Sequence, residues 1–342
     1  MQQMAVTKKT NKSNANLFAL LFLLGIVSLY VFTYESPGTF LSSPKLQVFK
    51  TVFISMIIEA MPFILIGVFV SALLQVYVSE QMIRRMIPRH PVLGILTASL
   101  LGIIFPICEC GMVPAIRKLI RKGMPVHVAT TFILVGPILN PVVFWSTWTA
   151  FRNRPEMAFS RMGLAFLCAL LIGLIVYRFV KGNPLRQTAS DLHSHGHEED
   201  HPHPHASNKV LSVMGHAIEE FFEMGKYLLF GACLVAILIT FISQESLVSL
   251  GQGTWSSNFM MMGLGFLLSL CSTSDAFVAQ SFMTTFSKGS LIAFMVFGPM
   301  LNLKGLLMML AVFKTKFVVL LSLLVIVFVY AGSIILEYTV LK

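Results

Sequence analysis

The chain has 342 residues, of which 56% are hydrophobic and only 12% charged, and its mean hydropathy is +0.80. Soluble domains carry about 25% charged residues, so this composition cannot cover a water-facing surface and calls for lipid as solvent. The net charge of +10 would suggest nucleic acid in a soluble protein. Here the basic residues fall in short clusters between apolar runs, which is a membrane-topology signal, and a nucleic-acid partner is set aside.

Lys8, Lys9 and Lys12 precede an apolar run from Leu17 to Tyr34. No small-residue cleavage pattern follows, so the run reads as an uncleaved first span with the N-terminus cytoplasmic. Crossing the hydrocarbon takes about 20 residues, and further stretches of that kind occupy 51–78, 92–110, 125–150, 159–180, 217–242, 259–282, 290–312 and 315–338. This is an all-α integral membrane protein with eight to nine hydrophobic segments. The polar segment 181–209 interrupts them and holds His193, His195, His197, His201, His203 and His205. By composition it is a disordered linker. The chain thus divides into 1–50, a first helix and loop; 51–180, a first repeat; the linker, 181–209; and 210–342, a second repeat.

The two long parts match. Glu59 and Gly67 recur as Glu223 and Gly231 at an offset of 164, Cys108 as Cys271 at 163, and Gly136-Pro-Ile-Leu-Asn140 as Gly298-Pro-Met-Leu-Asn302 at 162. Chance similarity between apolar helices would not hold so constant an offset. If 92–122 and 259–286 dip in and return as broken hairpins, the basic clusters gather on one side, as the positive-inside rule prefers. Each half then has three spans, an odd number, so the repeats are inverted, as in many secondary transporters.

Phe105-Pro-Ile-Cys108-Glu109-Cys110-Gly-Met-Val-Pro114 is the sharpest motif. Its prolines and glycine predict a helix break over 106–114, tolerated in a membrane only where protein or a wet cavity satisfies the freed backbone. An acid there is expensive, which makes Glu109 a candidate, and two thiols so close can reach one thiophilic ion. The partner break, Cys271-Ser-Thr273-Ser-Asp275, adds a third thiol and an acid that needs a cation, a proton or water. Breaks are also expected at 136–141 and 298–303, where the Asn140 and Asn302 amides can bond freed backbone or a substrate. Lys304 can neutralise Asp275 or meet an anionic solute, and Glu59 has no local partner. Cys168 and Cys233, alone on apolar helices, read as small core residues. The His tract offers several imidazoles to a transition metal or is a plain hydrophilic linker. No phosphate-binding Gly-x-x-x-x-Gly-Lys-Ser/Thr and no Ser/His/Asp set occurs, so the chain does not read as an enzyme and no cofactor is implied.

These paired elements resemble the YraQ/ArsP family of predicted permeases, from about residue 50 to the C-terminus. The resemblance implies a multi-pass permease of the bacterial inner membrane; ArsP-type members export trivalent organoarsenicals. The His-rich linker departs from that pattern and tilts weight toward a transition metal. The combined expectation is a secondary transporter that moves a thiophilic inorganic or organometalloid solute outward. Cys108, Cys110 and Cys271 are its ligands; Glu109 and Asp275 handle charge or protons. Its partners are the lipid bilayer, the solute, and a second copy or an accessory membrane protein. Two rivals remain: a thiol oxidoreductase cycling Cys108 and Cys110 through a disulfide, and a metal-buffering scaffold working through the His tract.

Overall fold

The computed structural model describes residues 44–77, 81, 90–104, 109–180, 182, 184–186, 207–241 and 254–340. The expected first span at 17–34, Cys108 and the six linker histidines lie outside the described residues. The chain divides into two compact units, Met1–Thr51 and Val52–Lys342, and the second carries the architecture that follows.

Twelve helices are present among the described residues: α1 Pro44–Tyr77, α2 Pro91–Ile104, α3 Glu109–Arg121, α4 Val126–Val135, α5 Pro141–Ala150, α6 Glu156–Phe179, α7 Ser207–Phe241, α8 Thr254–Leu268, α9 Asp275–Ser281, α10 Lys288–Met300, α11 Leu303–Val312 and α12 Thr315–Thr339. No strand forms among them; one isolated bridge pairs Leu185 with Phe313. Among the described residues, four stretches are long and apolar enough to cross a membrane: Leu46–Phe69, Glu156–Phe179, Lys288–Val312 and Thr315–Thr339. Large apolar side chains such as Trp145, Phe159, Phe222 and Leu323 stand exposed, a surface that only lipid solvates well. The fold is that of an all-α membrane protein.

Helix direction follows from contacts at the ends. The His127 ring, at the start of α4, packs edge-on against Tyr177, near the end of α6, with centroids 4.9 Å apart. Arg186 N donates to Val312 O at 2.9 Å and Lys314 N to Pro184 O at 2.8 Å. The start of α4, the ends of α6 and α11 and the start of α12 therefore share one face. It carries Lys118, Arg121, Lys122, Arg178, Arg186, Lys314 and Lys316, with no acid in 117–127, 177–186 or 312–316; we call it the basic face. At the opposite face Lys288 Nζ lies 3.9 Å from Glu156 and Gly289 lies against Glu337.

The broken elements fit between these faces. Ser257, early in α8, donates to Ser290 Oγ at 3.0 Å, so α8 starts beside α10 on the opposite face. It runs inward to Leu268, and after residues 269–274 the chain returns through α9 to Ser287. This hairpin enters and leaves on one side. The first hairpin does the same from the basic face. Gly173, toward the end of α6, lies against Ile95 of α2, while α3 ends in a turn through Gly123 (φ 98) that leads straight into α4. Each returning arm packs on the other half, α3 on α11 and α9 on α5.

Glycine pairs permit the tight crossings. A Cβ on Gly102 would lie 3.2 Å from Gly136 Cα, and one on Gly265 would lie 3.1 Å from Phe294 O and 3.6 Å from Gly298 Cα. The same crossing occurs in both halves. The stretches 125–150 and 290–312 are each two helices, joined at Gly-Pro-x-Leu-Asn, rather than single rods.

Two expectations need correction. The break expected over 106–114 is shorter, because α3 runs from Glu109 with Gly111 and Pro114 inside it. Pro114 removes one intrahelical bond near the N-terminus, and packing on α4 and α11 outweighs that loss. The linker is likewise not uniformly free: Leu185 is buried, its neighbours hold 312–314 by the two backbone bonds above, and α7 already begins at Ser207.

Gly265→Leu should lower the melting temperature in detergent, since overpacking a tight crossing costs about 1–3 kcal/mol. Gly263→Leu is the control. Nothing lies within 4 Å of that Cβ, and its melting temperature should stay unchanged or rise.

Candidate functional site

The second hairpin tip is the polar centre of the described unit. α8 ends at Ser269, which takes the left-handed conformation (φ 48) without being glycine, a local strain of about 1–2 kcal/mol. From there to Ser274 the backbone lacks a helical ladder, so its carbonyls need other donors. Lys304 Nζ donates to Ser269 O at 3.4 Å. Arg161 Nη2 donates to Ser272 O at 3.0 Å, and the Ser146 hydroxyl donates to Thr273 O. The Ser274 hydroxyl lies 3.1 Å from Cys271 O and 3.2 Å from Glu59 Oε1. Side chains from α1, α5, α6 and α11 thus converge on one six-residue break.

Asp275, at the start of α9, pairs with Arg161 at 2.7 Å, and both side chains are almost wholly buried. Arg161 also donates to Thr147 Oγ1 at 2.8 Å. The sequence offers Lys304 to neutralise Asp275 or to meet an anionic solute; in the structure Lys304 holds the Ser269 carbonyl, and Arg161, which the spacing does not single out, makes an ion pair with Asp275. The signal was present. A basic residue inside the apolar stretch 159–180 obeys the same rule that singles out Glu109 and Asp275. Its closeness to Arg152 and Arg154 makes it look like flank.

Among the other expected residues, Cys271 is buried, and the Thr273 hydroxyl donates to its Sγ at 3.6 Å. Cys168 and Cys233 are free thiols. Glu109 and Cys110 open α3, and their side chains, like that of Glu223, lie outside the described residues. The two asparagines cap the helices that follow their breaks. Asn140 Oδ1 accepts from Val143 N at 2.9 Å and Asn302 Oδ1 from Gly305 N at 2.6 Å. Their amides donate back to Gly136 O (3.4 Å) and Gly298 O (3.0 Å). Near-identical cap angles, φ −129 and −128, show one device used twice. Among the described residues no cluster of three or more His, Cys, Asp or Glu could hold a metal ion. The structure therefore brings together Glu59, Cys271, Thr273, Asp275 and Lys304, and adds Arg161, Ser146 and Thr147.

A polar, doubly broken centre in lipid-facing helices is what a solute path needs and what a scaffold does not. The model of the predicted-permease family ArsP_1 matches residues 45–338. The chain belongs to this family. It is 47% identical over 288 residues to the UPF0718 protein YcgR of Bacillus subtilis, covering 84% of this chain and 96% of that protein. It is 35% identical over 267 residues, 78% of this chain and 87% of the relative, to a Streptococcus mutans protein named "Putative two-component membrane permease complex subunit". No solved structure matches. The protein is a multi-pass membrane permease.

Removing one member of a buried pair strands the other. Arg161→Leu should cost about 3–5 kcal/mol of stability, read as a large drop in detergent melting temperature. Arg161→Leu with Asp275→Leu should lose less than that single change. A double variant less stable than Arg161→Leu alone would sink the pairing argument.

Proposed function

We propose that the protein is a secondary transporter of two inverted repeats that moves a thiophilic solute, a trivalent organoarsenical or a soft metal ion, out of the cell. The observation that carries this reading is Cys271. It is a buried thiol at a helix break, beside Asp275 and Glu59, in a chain of a permease family. Cys108 and Cys110 occupy the matching place in the first half by sequence offset. Soft thiolates from two repeats suit a soft centre and not a hard ion such as Mg²⁺. Three thiols can pass a solute by ligand exchange, so that no state holds it too tightly. Glu109 and Asp275 balance its charge, while Asn140, Asn302 and Lys304 frame the path by holding backbone.

Hairpins that enter from opposite faces support inverted repeats. The acid-free clusters of the basic face support placing that face in the cytoplasm of a bacterial inner membrane, with 184–186 and the start of the His-rich linker on the same side. In that setting the histidines act as a weak local buffer for a metal. The name of the Streptococcus relative supports a working unit that includes a second membrane subunit.

Everted membrane vesicles should accumulate methylarsenite or Zn²⁺, and Cys108→Ser or Cys271→Ser should cut uptake at least tenfold. Deleting 190–206 should leave most of the transport intact. Failure of wild type to move either solute, or full uptake in both cysteine variants, overturns the thiophilic reading.

A further inference from the structure

We propose that Arg161 is the bolt of an outer gate. With the hairpin tip 271–275 docked on it, the path from the face opposite the basic one is shut. Opening that side requires Asp275 and the Ser272 carbonyl to leave the guanidinium. This rests on the permease reading above and adds to it the closing device and its side.

Four observations carry the inference. First, Arg161 is fully buried yet belongs to α6 of one half while two of its three partners belong to the hairpin of the other. Ser146 of α5 adds a second tie of the same kind to Thr273. A contact of this sort sets the distance between the halves, which is the coordinate that alternating access changes.

Second, the tie is reached from the face opposite the basic one. Arg161 is five residues into α6 from Glu156, about 8 Å at the helical rise, and the hairpin it holds enters from that face. Third, the arrangement is one-sided. At the Cys108-to-Cys271 offset, Asp275 corresponds to Met112, and α12 has no basic residue after Lys316 until the terminal Lys342. Elsewhere the halves meet around a small cavity lined mostly by apolar side chains, Met112, Ile133, Met300 and Met309 among them, together with Asn302. Apolar surfaces can slide and repack, whereas a buried ion pair must be replaced by water or solute as it parts.

Fourth, the guanidinium is not saturated: its buried Nε has no acceptor among the described residues. Parting from Asp275 therefore does not dismantle a complete network. Arginine stays charged throughout, so what changes is Asp275. As the bolt parts, the Asp275 carboxylate exchanges the guanidinium for water or a solute beside Cys271.

The test uses the full chain with Cys108, Cys110, Cys168 and Cys233 changed to alanine, leaving Cys271 as the thiol. A membrane-impermeant cationic methanethiosulfonate is added to right-side-out or to inverted vesicles, and the labelling rate of Cys271 is read. From the outer side the parent should label slowly, Arg161→Gln and Asp275→Asn at least tenfold faster, and Arg161→Lys between them. Should Arg161→Gln fail to reach the membrane folded, Asp275→Asn decides, since it keeps the Thr147 and Ser272 contacts. An outer rate unchanged in these variants overturns the gate. A rise confined to inverted vesicles overturns its placement on the outer side. Faster outer labelling in these variants, with a wild-type chain that carries neither methylarsenite nor Zn²⁺, upholds the gate and removes only the thiophilic reading.

Discussion

Lipid offers no hydrogen bonds, so every backbone group freed by a helix break must find a partner within the protein. Much of the described architecture answers that constraint. At Gly136–Asn140 and Gly298–Asn302 the answer is local, an asparagine that caps the next helix and reaches back to the last. At 269–274 no local side chain suffices for the carbonyls of Ser269, Ser272 and Thr273. Donors arrive from Lys304, Arg161 and Ser146 instead, two of them from the other half of the chain. The break is therefore also a joint: satisfying its backbone ties the halves together. Buried charge follows, since a guanidinium carried inward to cap a carbonyl needs a carboxylate, and Asp275 supplies it.

Close approach is the second requirement, because these donors reach the tip only if the helices pack tightly. Glycines provide it without a hydrophobic driving force, which lipid does not supply between helices. The Gly102–Gly136 and Gly265–Gly298 crossings set the first arm of each hairpin against the helix that precedes each Gly-Pro break. Most residues of the stretch Lys288–Val312 are buried, so it faces protein nearly all round and serves as a core against which the second hairpin and α12 stand. Its matched stretch, α4 and α5, is buried along α4 and opens toward lipid at Trp145. The two halves share a plan without sharing every contact. Gly67 meets Gly111, whereas its counterpart Gly231 lies against Lys304.

Much of this was legible in the residues. Apolar runs, Gly-Pro-x-Leu-Asn, the intramembrane acids and the near-constant offset are local signals, and they located the helices, three of the breaks and the polar tip. What escaped was non-local or a matter of competing energies. Arg161 could not be paired with Asp275 from spacing, since 114 residues separate them and only the fold brings them to 2.7 Å. Pro114 obeyed its propensity in principle, but one lost hydrogen bond weighed less than the packing of α3. Pro184-Leu185-Arg186 sits in a stretch whose composition predicts disorder, yet one buried leucine and two backbone bonds hold it. Composition averages over a segment; a dock of three residues is invisible to it.

On the transport reading proposed above, the same tip separates the two solute classes by their chemistry. Methylarsenite reacts with two thiols to give two As–S bonds and two waters, so the site's charge does not change. A divalent metal ion bound by two thiols forms two metal–sulfur bonds and releases two protons, which a buried site must pass on. Around 269–275, besides the Cys271 thiol, the described basic and acidic side chains are Arg161 and Lys304 against Asp275 and Glu59, two of each sign. A neutral organometalloid enters such a balanced site without disturbing it. A metal ion requires acceptors for its protons, and Asp275 is engaged with Arg161 while the gate is shut. Glu59, only half buried and on the Ser274 hydroxyl, is then the carboxylate placed to take them. On that reading the balance of charge at the tip favours the neutral solute in the closed state and makes Glu59 the residue on which metal transport depends.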